Sequence, residues 1–230
     1  MTELLHSPLF GVALTLLVYR LAELIYRKTG FILFNPVALS IASIILLLKI
    51  FAIPYGDYAR GGNIILFLLG PSVVALALPL YQRRMEIFKR KLPILMGIFA
   101  GALTSIITAA GSAWLLGGSH KVVLSLVPKS VTTPIAIGIV EKIGGIAPLT
   151  AALVVLSGCL GAICGPEFCR LIGIRTPAAL GLAVGTAAHG IGTARVLGED
   201  RFAGAVAGLA IGLNGLATSI LVPLLWLLFG

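Results

Sequence analysis

Long apolar runs, cut by glycine, proline and short basic loops, divide this chain into about eight helical segments. The first spans about Leu9 to Tyr26 and stops at Arg27-Lys28 and Gly30, and the second runs from Asn35-Pro36 to about Phe51. A turn at Pro54-Tyr55-Gly56-Asp57 leads to a third segment, about Gly62 to Tyr81, interrupted by Gly70-Pro71-Ser72. The fourth extends from Pro93 to about Leu116, and the fifth is bracketed by Pro128 and Pro134 and ends near Glu141-Lys142 and Gly144-Gly145. The sixth covers about Ala147 to Cys164 and the seventh about Ala178 to Ala194. The last begins near Phe202 with a stripe of Gly204, Gly208 and Gly212, a packing face for a neighbouring helix. Strict apolar–polar alternation is absent, which disfavours a transmembrane barrel.

Composition fixes the solvent. With 59% hydrophobic and 11% charged residues and a mean hydropathy of +1.10, the reading is an integral membrane protein, an all-α polytopic bundle. One membrane domain covers residues 1–230, with 1–117 and 118–230 as candidate halves. The first apolar run lacks a preceding basic region and reads as a retained helix, not a cleaved signal peptide. The net charge of +9 comes from residues in short loops and at helix ends, without a basic face interleaved with aromatics, so nucleic acid is not the expected partner. The lipid bilayer is. If the loop carrying Arg83, Arg84, Lys89, Arg90 and Lys91 is cytoplasmic and every segment crosses, that side also receives Arg27, Lys28, Lys142, Arg195 and Arg201. The other side receives Arg60, Lys121, Arg170 and Arg175, which places both termini outside the cytoplasm. A re-entrant fifth or seventh segment would flip the assignment after it. Cys159, Cys164 and Cys169 match no metal-binding pair and read as small apolar residues.

The interrupted segments concentrate the candidate chemistry. Lys129, Ser130, Thr132 and Thr133 lie between Pro128 and Pro134, at a depth where polar groups face a cavity or a partner. Lys129 suits a substrate carboxylate, or alternatively snorkels to headgroups. The hydroxyls suit a carboxylate or a 2-hydroxyl, or alternatively bond back to their own helix. Pro134 opens a helix start that favours an anion. His189 in the seventh segment reads as a proton carrier or carboxylate ligand, or as a core histidine on a carbonyl, with Thr193 and Arg195 beside it. Arg195 offers a fork for a carboxylate or an anchor at the helix end. Glu141 and Asn214 are weaker candidates. Pro71, Ser72, Pro128, Pro134 and Gly190 are the expected helix breaks, and breaks at matching places in two halves suggest an inverted repeat around a midplane site. Nothing indicates a metal site, a nucleotide loop or a catalytic triad, so an enzyme is not expected.

The segment P-K-S-V-T-T-P-I-A at 128–136, the Gly144-Gly145-Ile146 turn and H-G-I-G-T-A-R at 189–195 resemble the LrgB/CidB family, as do Asn35-Pro36 and P-L-Y at 79–81. The resemblance covers nearly the whole chain. It implies a multi-pass protein of the bacterial inner membrane, working beside a small holin-like LrgA/CidA partner, and a fold similar to sodium–proton antiporters and bile-acid-type carriers. Family members are associated with control of murein hydrolases and with transport of pyruvate, glycolate or glycerate. Two functions stand side by side: a secondary carrier of small organic anions, or an antiholin-like regulator of autolysis without transport of its own. No cofactor is expected, with proton or sodium coupling left open. Self-association into a homo-oligomer is also left open.

Overall fold

A computed structural model describes residues 7–31, 34–68, 71, 74–75 and 77–229, and its helices divide into two compact units, Met1–Leu76 and Ala77–Gly230. All regular structure among the described residues is helical.

The first unit holds α1 (Pro8–Thr29), α2 (Pro36–Ile50) and α3 (Tyr55–Phe67). Ser7 caps α1 through the Leu9 amide, and Gly30 ends it with φ of 61°, a left-handed stop that costs glycine little. Asn35 caps α2 by accepting from the amides of Val37 and Ala38. The sequence pattern expects a turn at 54–57; instead Pro54 sits just before α3 and Tyr55 already belongs to it. Helices α1 and α3 touch backbone to backbone, since a Cβ at Gly11 would lie 2.3 Å from the Tyr58 carbonyl. The Thr15 and Tyr58 hydroxyls then pair at 3.0 Å. Of the interruption expected at Gly70-Pro71-Ser72, Gly70 and Ser72 lie outside the described residues.

The second unit comprises α4 (Ala77–Gln82), α5 (Arg84–Lys89), α6 (Lys91–Leu115), α7 (His120–Leu126), α8 (Thr133–Ile143), α9 (Ala147–Leu171), α10 (Pro177–Glu199) and α11 (Arg201–Phe229). The basic stretch between the third and fourth predicted segments is thus partly helical. Helices α6, α9 and α11, like α1, are long and apolar enough to cross a bilayer. The remaining elements depart from the sequence pattern in one decisive respect.

Helix α10 doubles back on itself. His189 has φ 39° and ψ −134°, which divides the helix into arms at 177–188 and 190–199. A Cβ at Gly192 would lie 3.5 Å from the Val184 carbonyl, although eight residues of straight helix span roughly 12 Å. The first arm also runs parallel to α11, with Gly181 against Ala203 and Gly185 against Ala207, which a straight α10 ending one residue before α11 could not do. The α7–α8 pair folds in the same manner: Gly145 returns to Ser125, whose hydroxyl accepts from the Ile146 amide at 2.8 Å. Thr150 Oγ1 then donates to the Ser125 carbonyl at 3.0 Å. Leu124 and Val127 pack with Val140 and Ile143 between the two arms.

Both the fifth and the seventh predicted segments are therefore helical hairpins and not full crossings. The reason is local. Pro134 lacks the amide that would continue the first, and His189 reverses the second. Helix α6 runs parallel to the first arm of α10 (Gly97 against Leu182, Gly101 against Thr186), while α9 runs antiparallel to it (Gly158 against His189, Gly161 against Ala188, Gly165 against Val184). Hence α6 with the α7–α8 hairpin, and α9 with the α10 hairpin, form the same motif in opposite directions.

The reversal also changes which charges share an end of this unit. Arg83, Arg84, Lys89, Arg90 and Lys91 lie at the start of α6, together with Arg170, Arg175 and Arg201, whereas Lys121 and Lys142 lie at the opposite end. Full crossings would have put Arg170 and Arg175 away from the basic loop and Lys142 with it, so those three assignments are corrected.

Two reporter cysteines test the hairpin. In a chain with its three native cysteines replaced by serine, R170C/E199C should be joined by a short bifunctional thiol reagent. A straight α10 would hold Glu199 roughly 30 Å from the start of the helix, and no cross-link would form.

Candidate functional site

The tips of the two hairpins meet against the middle of α9. Ser157 Oγ on α9 donates to the Lys129 carbonyl at 2.8 Å, and His189 Nε2–H donates to the Val154 carbonyl, one turn earlier, at 2.9 Å. Small residues permit this approach: a Cβ at Gly158 would lie 2.5 Å from His189 Cε1. Any side chain there would displace the imidazole.

Each tip leaves backbone carbonyls without helical partners. Pro134 has no N–H for the Ser130 carbonyl four residues earlier, and the turn at His189 disturbs the same pairing for Thr186. Asn214 on α11 answers both. Its side-chain amide donates to the Ser130 carbonyl at 3.2 Å and to the Thr186 carbonyl at 3.0 Å, and the residue is 1% exposed. One side chain on a spanning helix thus ties together the tips of two hairpins that enter from opposite ends.

The tip of the first hairpin also carries the charge. Lys129 Nζ lies 3.4 Å from Ser105 Oγ on α6, and Ser105 Oγ donates to Ser130 Oγ at 3.0 Å. Lys129 is half-buried, and among the described residues it forms no ion pair. A half-buried ammonium held by a neutral hydroxyl keeps most of its capacity to attract an anion.

The other sequence candidates divide. Thr132 caps α8 with extended backbone but without a side-chain bond, and Thr133 is the first residue of α8 beside Pro134; both are half-buried near Lys129 in sequence. Pro128 is fully buried in the tip. Thr193 Oγ1 donates to the His189 carbonyl at 2.7 Å, the local back-bond weighed as its alternative. Gly190 does not provide the break: the positive φ belongs to His189, one residue earlier. A residue other than glycine in such a conformation costs roughly 1–3 kcal/mol, so the surrounding contacts must hold it.

Arg195 is drawn away from the tips. Its guanidinium binds Glu167 at 2.8 Å and Glu199 at 2.7 Å, and Arg170 closes the chain of charges onto Glu199. This network joins the second arm of α10 to the last turns of α9. Burial pushes the Glu199 carboxyl up, but the Arg195 and Arg170 guanidiniums together outweigh it and hold it below the ordinary carboxylate value. The sequence pattern gave no weight to Ser105 and Ser157, each one hydroxyl within an apolar helix, and little to Asn214. Their shared signal is a polar residue on the inner face of a spanning helix, which periodicity alone does not orient.

Two predictions follow from this geometry. Asn214→Ala orphans two buried carbonyls at roughly 1–3 kcal/mol each, and should lower the thermal midpoint of the detergent-solubilised protein by several degrees. Asn214→Asp, which offers no donor when ionised, should lower it further. For Glu199 the depressed value means that its contribution is present above the usual carboxylate range near pH ~4.3 and is lost as pH falls through its lower folded value. Thermal midpoints of wild type and E199Q should differ at pH 7 and converge on acidification; a gap that persists would remove the network as its cause.

No solved structure matches the chain. A family model does, described as the LrgB-like family and matching residues 15–228, which include both hairpins and all three long helices of the second unit. With its membrane-spanning helices and the family match over nearly its whole length, this chain belongs to the LrgB-like family, a membrane protein of the LrgB/CidB type.

Proposed function

We propose that this protein is a secondary carrier of small organic anions, of the size of pyruvate, glycolate or glycerate. The observation that carries the reading is Lys129: a half-buried ammonium at the meeting point of two hairpin tips, bonded to a serine and without a carboxylate partner among the described residues. Non-helical backbone at membrane depth is tolerated where it lines a cavity or is buried in protein, and here it carries the unpaired charge. The two motifs of opposite direction supply the pseudo-symmetry that alternating exposure of one central site requires.

In this reading His189 positions the second tip, and the anion binds at Lys129 with Ser130, Thr132 and Thr133 nearby. A proton or sodium gradient drives transport, and a small LrgA-like membrane protein is the partner. The end carrying Arg83–Lys91, Arg170, Arg175 and Arg201 faces the cytoplasm of a bacterial inner membrane. The antiholin-like alternative needs the partner but no anion site.

Uptake of labelled pyruvate and glycolate into proteoliposomes separates the two. Lys129→Met, which keeps the stem and removes the charge, should cut uptake at least tenfold while the protein remains monodisperse. Absence of flux for every short monocarboxylate, with and without the small partner, would leave the regulatory role in its place.

A further inference from the structure

We propose that the cleft between α6 and the first arm of α10 is the path by which the anion reaches Lys129 from the basic end, and that Ser105 and Thr186 receive its oxygens at the inner end. This rests on the carrier reading above and adds to it a route, two binding residues and a selectivity. The cleft encloses about 370 Å³. On α6 it is lined by Gly97, Gly101 and Ser105, one turn apart on a single face, and on the other side by the start of α10 and its approach.

Three features give the cleft its direction. Its outer end reaches Ile174 and Ala179, next to Arg175 and at the same end of the unit as the basic stretch before α6. At its inner end Ser105 joins it to the site, through Lys129 Nζ at 3.4 Å and Ser130 Oγ at 3.0 Å. Thr186 lines the same cleft, is 6% exposed, and its hydroxyl has no partner among the described residues. Among the described residues Thr218 on α11 shares this state, but it does not line the cleft. The hydroxyls of Thr15, Ser40, Ser125 and Thr193 all donate to a carbonyl four residues earlier, the common solution for a helical hydroxyl in apolar surroundings. Thr186 does not, and a buried unsatisfied hydroxyl is costly unless a ligand completes it.

The walls define what can pass. Apart from Ser105 and Thr186 the lining is glycine, alanine, leucine and isoleucine. A second carboxylate or an ammonium on the ligand would be buried there unpaired, so the chemistry selects a short monoanion with a small apolar body. The carboxylate goes to Lys129 and Ser105, and an oxygen on the neighbouring carbon goes to Thr186, whose hydroxyl is covered in this structure with the methyl turned to Gly101 and comes to the ligand by a side-chain rotation. Width is set by the glycines: a Cβ at Gly97 would lie 2.7 Å from Leu182 Cδ2, and one at Gly101 2.8 Å from Thr186 Cγ2. The corresponding place in the oppositely directed motif, between α9 and the first hairpin, is shut by the Ser125 contacts with Ile146 and Thr150. A larger cavity of about 540 Å³ among α6, α7, α8 and α11 is lined by apolar residues and the Trp226 indole, with no charged side chain to receive an anion.

Cysteine accessibility tests the route without relying on flux. In a chain with Cys159, Cys164 and Cys169 replaced by serine, A183C and A179C are exposed to a membrane-impermeant anionic thiosulfonate in inside-out vesicles and in spheroplasts. The expected result is modification from the cytoplasmic face, slowed at least threefold by millimolar pyruvate and not by succinate. In proteoliposomes, Thr186→Val should lower pyruvate uptake at least tenfold while changing propionate uptake less than twofold. Reaction of both cysteines only with a membrane-permeant apolar maleimide would show that lipid chains fill the cleft and overturn the route. Modification indifferent to pyruvate, or equal losses for pyruvate and propionate in Thr186→Val, would overturn the binding assignment. Either result could accompany full wild-type uptake, which keeps it distinct from failure of the carrier reading, where the unmodified chain moves no short acid.

Discussion

The second unit depends on one amide. Asn214 places its two N–H groups on the carbonyls of Ser130 and Thr186, the two backbone acceptors that the hairpin tips leave without helical partners. In lipid an orphaned carbonyl has no water to turn to, so a hairpin tip is stable at that depth only if protein supplies the donor. Helix α11 supplies it for both tips at once, and this fixes their heights relative to each other. Ser157 and His189 then attach the same tips to α9, and Ser105 attaches the first to α6. The three spanning helices thus hold the hairpins mainly through hydrogen bonds, with small residues allowing the close approach.

That division of labour explains the composition. Several glycines on α9 and α10 meet neighbouring backbone or small side chains, so there is little bulky interdigitation there to hold the arms: Gly161 faces Ala188, and Gly185 faces Ala207. Apolar burial discriminates weakly between arrangements when lipid is as apolar as the interior, and polar contacts and close packing decide the fold. At the outer ends the Glu167–Arg195–Glu199–Arg170 network does for the α10 hairpin what Asn214 does at its tip. Arg195 therefore holds the second arm against α9, a role that its place at a helix end left as one of two options in the sequence.

Much of this was legible in the chain and some of it was not, for definite reasons. Apolar run length identified the spanning helices, because desolvation of a helix in lipid demands that length. The Pro128–Pro134 bracket identified a break, because proline removes a particular hydrogen bond. What neither signal contains is the direction of the chain after a break: a kinked helix that continues and a hairpin that returns have the same local composition. The reversal in α10 was harder still: a break was expected at His189-Gly190, but the positive φ of 39° falls on the histidine, where tertiary contacts hold it, and not on the glycine. Ser105 escaped notice and Asn214 drew little weight because a single polar residue in an apolar helix is ambiguous until its inward face is known.

The same economy bears on movement. Seen from the tips, each hairpin is secured by a small number of neutral hydrogen bonds, while the charged network lies at the outer ends. A neutral bond contributes about 1 kcal/mol net, and that is the scale on which a bound ligand can shift a two-state equilibrium. Had the tips been locked by buried ion pairs, separating the charges would have required far more. Lys129, without a carboxylate partner among the described residues, meets both demands: it leaves a positive charge for a ligand, and it leaves the first tip held loosely enough for that ligand to alter how it sits.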